Sequence, residues 1–84
     1  MTEKRTFAAI AQDIVADAGF TGQEKRLWSA MPYLRDLAGF HTSDPEADNG
    51  WGSARYMSLY ALSNLATYKG EGARRLKSEL KSML

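Results

Sequence analysis

Apolar residues return every three or four positions through almost all of this chain, and nowhere do they alternate with polar ones over the length of a strand. That spacing lays them along one face of an α-helix, whereas a half-buried strand needs a repeat of two. The fold class that follows is all-α: a compact bundle of three to four helices with one long polar loop, in a single helical domain over residues 1–84. Phe7, Ile10, Ile14, Val15 and Ala18 form the first stripe and predict a helix over about 3–18. Gly19 is read as its left-handed stop, with Phe20 folding back on Val15. Thr21 and Glu24 have the spacing of a capping box. Leu27, Ala30, Met31, Leu34, Leu37 and Ala38 then carry a second helix over about 22–38, kinked or broken at Pro32. Gly39 and Phe40 repeat the expected stop.

The interruption is HTSDPEADNG, residues 41–50, a stretch of the residue types that make turns. Beyond it Ala54, Met57, Ala61, Leu65 and Tyr68 form a third stripe over about 51–68. Tyr56, Leu59, Tyr60 and Leu62 spread apolar surface around the rest of that helix, which makes it either central or shared with a partner. Gly70 separates it from a fourth helix over about 72–83, burying Ala73, Leu76, Leu80 and Met83 or Leu84.

Small size leaves little core to spare, since a chain of this length buries only about 60–65% of its unfolded surface. No cysteine is present, so neither a disulfide nor a thiolate ligand or nucleophile is available. A reducing bacterial cytoplasm is the expected location. No run approaches the roughly 18 apolar residues of a membrane span. Asp13 and Asp17 interrupt the place where a signal peptide would carry its apolar core. The net charge of +1 excludes a strongly acidic nucleic-acid mimic and a strongly basic coat protein.

Catalytic chemistry finds no foothold in these residues. His41 is the only histidine, and no nucleophile or paired carboxylate accompanies it, so no enzyme, catalytic residue or cofactor is expected. Asp44, Glu46 and Asp48 share the alternate spacing of a calcium loop, but Asn49 stands where that loop needs glycine and Arg55 where it needs glutamate. No metal is expected; the acids would instead favour the N-terminus of the third helix or meet a basic partner. Lys69-Gly70-Glu71-Gly72 precedes a helix without completing a Walker pattern and reads as a tight turn.

Partner binding is better represented. Arg74, Lys77 and Lys81 form one basic stripe on the last helix, beside a Glu71, Arg75, Glu79 ladder at spacings of four that would pair internally. Nine aromatics, two Trp, four Tyr and three Phe, exceed what one narrow core hides. Trp, Tyr and Arg are the side chains enriched at interface hot spots. The expected partner-binding residues are therefore Trp28, Tyr33, Trp51, Tyr56, Tyr60, Arg74, Lys77 and Lys81. The partner could equally be a second copy, which would relieve the thin stability of a short chain.

FAAIAQDI at 7–14, MPYLRDLAGF at 31–40 and above all YMSLYALSNLATYKGEGARRLKSELKSML at 56–84 resemble a family of short all-helical proteins encoded by bacteriophages and mobile elements of Gram-negative bacteria. The chain departs from that pattern at Tyr60-Ala61, where the family has an aromatic pair, and at Tyr68, where it has tryptophan. The resemblance carries no reaction, cofactor or catalytic residue. It implies a small phage protein that disables a host defence complex, of the anti-CRISPR kind, by occupying a protein surface. The alternative is a nucleic-acid-binding accessory protein that places residues 69–81 on a phosphate backbone. A self-associating scaffold is the third reading.

Overall fold

Thr6 opens the first helix by accepting the Ala9 N–H on its hydroxyl at 3.1 Å, the exchange that makes threonine a good cap. The computed structural model describes residues 4–84. Among these it contains α1 (Phe7–Phe20), α2 (Met31–Leu37), α3 (Ala54–Ser63) and α4 (Glu71–Ser82), with a 3-10 turn at Glu24–Leu27 and no strand. Residue 3, where the periodicity predicts a helix to begin, lies outside the described residues. Residues from all four helices meet in one core, among them Ile10 and Ile14 of α1, Leu34 and Leu37 of α2, Met57 and Ala61 of α3, and Leu76 and Leu80 of α4. The shape is a slab of 32 × 31 × 17 Å. Its thickness matches two helix layers at the usual axial separation of about 8–10 Å, with α1 packed on α4 and α2 on α3. So thin a body has much surface for its volume.

The long loop between α2 and α3 binds the two N-termini that most need partners. A helix leaves its first N–H groups without intrahelical acceptors. The backbone carbonyls of Thr42 and Phe40 accept those of Phe7 and Ala8 at 2.9 and 3.0 Å. Those of Ala47 and Pro45 accept Ala54 and Arg55 at 2.8 and 2.9 Å, while the Ser53 hydroxyl accepts Tyr56. Loop carbonyls and Ser53 thus do the capping that the sequence reading assigned to the acidic side chains. The acids shape the loop instead: Asp44 and Asp48 accept the Glu46 and Gly50 N–H groups, and Glu46 pairs with Arg55 at 2.6 Å.

Several expected boundaries move. α1 runs through Gly19 and ends in a Schellman motif three residues later: Gln23 N–H bonds to Ala18 and Gly22 N–H to Gly19, with Gly22 at φ 72°. Phe20 consequently stays 93% exposed and Val15 42%, so neither joins the core. Thr21 forms no capping box; its hydroxyl donates to the Asp17 carbonyl. The second helix is split, since the 3-10 turn and the residues after it precede an α2 that starts at Met31. Pro32 sits in the first turn of α2, where its missing N–H costs nothing. α3 stops at Ser63, short of the expected 68, yet Leu65 and Tyr68 remain buried. The Glu71–Arg75–Glu79 ladder does not form: Glu79 is taken by Arg5 through two hydrogen bonds of 2.7 and 2.9 Å, and Arg5 also reaches Asp13. This two-pronged contact holds the Glu79 carboxyl below its ordinary pKa.

Ala54, Ser58 and Ala61 are small and fully buried along one face of α3. The Ser58 hydroxyl finds no hydrogen-bond partner among the described residues. An unsatisfied buried hydroxyl costs about 1–3 kcal/mol, and alanine is also the better helix former. Ser58→Ala is expected to stabilise the protein by about 1 kcal/mol, raising Tm by roughly 4–8 °C in a thermal melt; an unchanged or lowered Tm would show the hydroxyl to be satisfied.

Candidate functional site

Tyr33 of α2 and Tyr60 of α3 stack across the helix pair, with ring centroids 5.2 Å apart and an interplanar angle of 19°. Tyr56, one turn before Tyr60, lies tilted against it at 4.5 Å, and its hydroxyl donates to that of Tyr60 at 3.2 Å. That bond raises the Tyr56 pKa. The Tyr56 ring also covers Gly52, where even a methyl group would crowd it. Trp51, the preceding residue, stands 84% exposed at the end of the loop. Leu59, which was read only as part of a broad apolar helix, is 52% exposed and joins Tyr56, Tyr60 and Ser63 around a shallow depression of about 320 Å³. Three of the aromatics named from the sequence, Tyr33, Tyr56 and Tyr60, are thus in contact with one another. Trp28 is exposed beyond the 3-10 turn and pairs with none of them.

No family model, curated protein or solved structure matches this chain.

The basic residues occupy a different part of the molecule. Lys77 is committed to the fold: its ammonium donates to the Leu65 and Tyr68 carbonyls at 3.1 and 2.7 Å and lies 5.8 Å from the Tyr68 ring centroid. Burial lowers its pKa, and the neighbouring Lys81 and Lys69 lower it further. Arg26 donates to the Thr67 carbonyl, and the Gln23 amide both donates to the Lys69 carbonyl and accepts its N–H. The turn from Leu65 to Gly70 is therefore strapped from two other elements. Arg74 and Lys81 remain exposed on α4, with no ion-pair partner among the described residues.

His41 is exposed on the loop. No cluster of three metal-ligating side chains forms among the described residues. No helix among them is long and apolar enough to cross a membrane. An apolar groove of about 300 Å³ also runs between α1 and α2, lined by Val15, Ala16, Met31, Leu34 and their neighbours. Its sequence signal was Val15, which periodicity assigned to the core.

Proposed function

We propose that this protein is a non-enzymatic binding protein that occupies a surface of a host protein or ribonucleoprotein complex and inhibits it, in the manner of a phage-encoded anti-defence protein of the anti-CRISPR kind. The observation that carries the reading is the exposed Tyr56, Leu59 and Tyr60 face of α3, with Trp51 exposed in the loop before it. Large aromatic side chains held in place by their neighbours lose little freedom on docking, which is what makes an interface anchor efficient. Stacking on Tyr33 and the hydroxyl contact with Tyr56 supply that restraint for Tyr60. The phage setting comes from the sequence resemblance and the inhibitory role from that setting.

The test uses tagged wild type, Tyr60→Ala and Lys81→Ala, each incubated with nuclease-treated lysate of a Gram-negative host, with retained proteins quantified. The reading expects a host complex that survives nuclease, a loss of tenfold or more for Tyr60→Ala, and a change within about twofold for Lys81→Ala. Equal, small effects would remove the aromatic anchor. Should Tyr60→Ala instead abolish self-association in a mass measurement, with no host protein retained, the face would be a homo-oligomer contact.

A further inference from the structure

Asn49 and Gly50 are neighbours in the loop before α3, and the hydrogen bonds around them match the parts of an acyl-transfer site. The Gly50 N–H donates to the Asp48 carboxylate at 2.6 Å. The Asn49 side-chain oxygen accepts the Trp51 and Gly52 N–H groups at 2.9 and 3.2 Å. Two donors on one oxygen fix the orientation of the amide, whose nitrogen makes no hydrogen bond among the described residues. A bond from the Asn49 N–H to the Gly52 carbonyl at 3.3 Å and an antiparallel bridge between Asp48 and Ser53 close the loop around this arrangement.

Each contact has a chemical counterpart. A main-chain nitrogen is a poor nucleophile until a base draws off its proton, and that base must stand within about 2.6–3.2 Å of the donor atom. Asp48 meets this requirement at Gly50. Attack on an amide carbon drives charge onto its oxygen, where a pair of backbone N–H groups already in place stabilises it. Trp51 and Gly52 supply the pair. Gly50 has φ 94°, which glycine adopts without strain. No side chain shields its nitrogen, and even a Cβ built there would meet nothing within 4 Å.

We infer that Asn49-Gly50 is a self-modification site, at which the folded loop converts Asn49 to aspartate or isoaspartate through a cyclic imide. Asp48 takes the Gly50 amide proton as the Gly50 nitrogen attacks the Asn49 side-chain carbon. The new carbon–nitrogen bond leaves an oxyanion on the two N–H groups. Its collapse breaks the bond to the side-chain nitrogen, which takes the proton back from Asp48 and departs as ammonia. Water then opens the imide. Addition at the former side-chain carbonyl restores the original backbone with an aspartate, and addition at the main-chain carbonyl leaves isoaspartate, with the side-chain carbon in the backbone. No oxidant or reductant is involved. Asn49 and Gly50 are exposed, so water has access to the ring. Either product moves the net charge from +1 to neutral. The chemistry is independent of any partner bound by the aromatic face on α3.

The test follows Asn49 in the purified full chain held at neutral pH, by mass spectrometry of tryptic peptides. Cleavage after Arg35 and Arg55 isolates residues 36–55 with Asn49, while residues 56–69 carry Asn64, the other asparagine, as an internal reference. Folded wild type should convert Asn49 at least about tenfold faster than the same chain unfolded in urea, since a positioned base and a pair of oxyanion donors each contribute roughly a hundredfold or more in enzyme sites. Asn64 should gain no such advantage from folding. Asp48→Ser, whose hydroxyl can still accept the Gly50 N–H and hold the turn, should lose most of the advantage while keeping the wild-type circular dichroism. An Asn49 that converts no faster in the folded chain than in urea would overturn the inference, because the hydrogen bonds would then clamp the asparagine instead of activating it. Conversion of Asp48→Ser at the wild-type rate would also overturn it, because no base would be acting.

Discussion

Tyr68→Ala is expected to cost about 3–5 kcal/mol, the largest loss of any single truncation considered, although Tyr68 lies outside every helix. The side chain is among the largest that are fully buried, and its hydroxyl donates to Asp17 at 2.6 Å. Truncating a buried aromatic costs about 3–5 kcal/mol. Total stability for a chain of this length is only about 4–13 kcal/mol. The ring also covers the junction where α1, the Leu65–Gly70 turn and α4 meet, with the Lys77 ammonium over its face. Tyr68→Phe keeps the ring and the cation but removes the hydroxyl from Asp17, so a smaller loss of about 1.5–3 kcal/mol is expected. Urea unfolding followed by circular dichroism measures both. A Tyr68→Ala variant within about 1 kcal/mol of wild type would mean that the turn is not part of the cooperative core.

Gly72→Ala is the second expected result, and its sign is unusual. Replacing glycine by alanine inside a helix ordinarily adds about 1 kcal/mol of stability. Here the added methyl would overlap the Asp17 carboxylate. Moving that carboxylate breaks its bond to the Tyr68 hydroxyl, a charged hydrogen bond worth about 1.5–3 kcal/mol. The balance is a net loss of about 0.5–2 kcal/mol for Gly72→Ala alone. With Asp17→Ala already in place the obstacle is gone, and the same substitution should stabilise by about 1 kcal/mol. The double-mutant cycle should therefore give a coupling of about 1.5–3 kcal/mol. Gly72→Ala stabilising in both backgrounds would show that the carboxylate moves aside without cost.

The buried stripes were legible in the sequence because burial follows helical period. Phe7, Ile10, Ile14 and Ala18 in α1 and Ala54, Met57 and Ala61 in α3 are buried as their spacing requires. Helix ends were less legible, since they depend on bonds that periodicity does not encode. Gly19 and Gly22 are equally able to stop α1, and the bonds from Gln23 and Gly22 decide for the later one. That choice of three residues turned Phe20 from a presumed core contact into an exposed ring. The signal that could have warned of it is the glycine two places beyond.

The candidate sites divide in the same way. Tyr33, Tyr56 and Tyr60 could be singled out because each lies beside the main apolar stripes. Their contact with one another needed α2 laid against α3. Lys77 shares its spacing on α4 with Arg74 and Lys81, but α3 ends early and leaves two carbonyls beside its ammonium. Arg5 and Glu79 are 74 positions apart, and nothing local relates them.

What the sequence by itself determined was the all-helical class, the faces that turn inward and the absence of thiol chemistry. These follow from residue type and from intervals of a few positions, over which the backbone geometry of a helix is known in advance. The tertiary structure decided where helices stop, which charges pair and which aromatics stand in solvent together. Each of those outcomes is a competition among groups far apart in the chain for one hydrogen bond or one packing position, and only the assembled fold brings the competitors within reach.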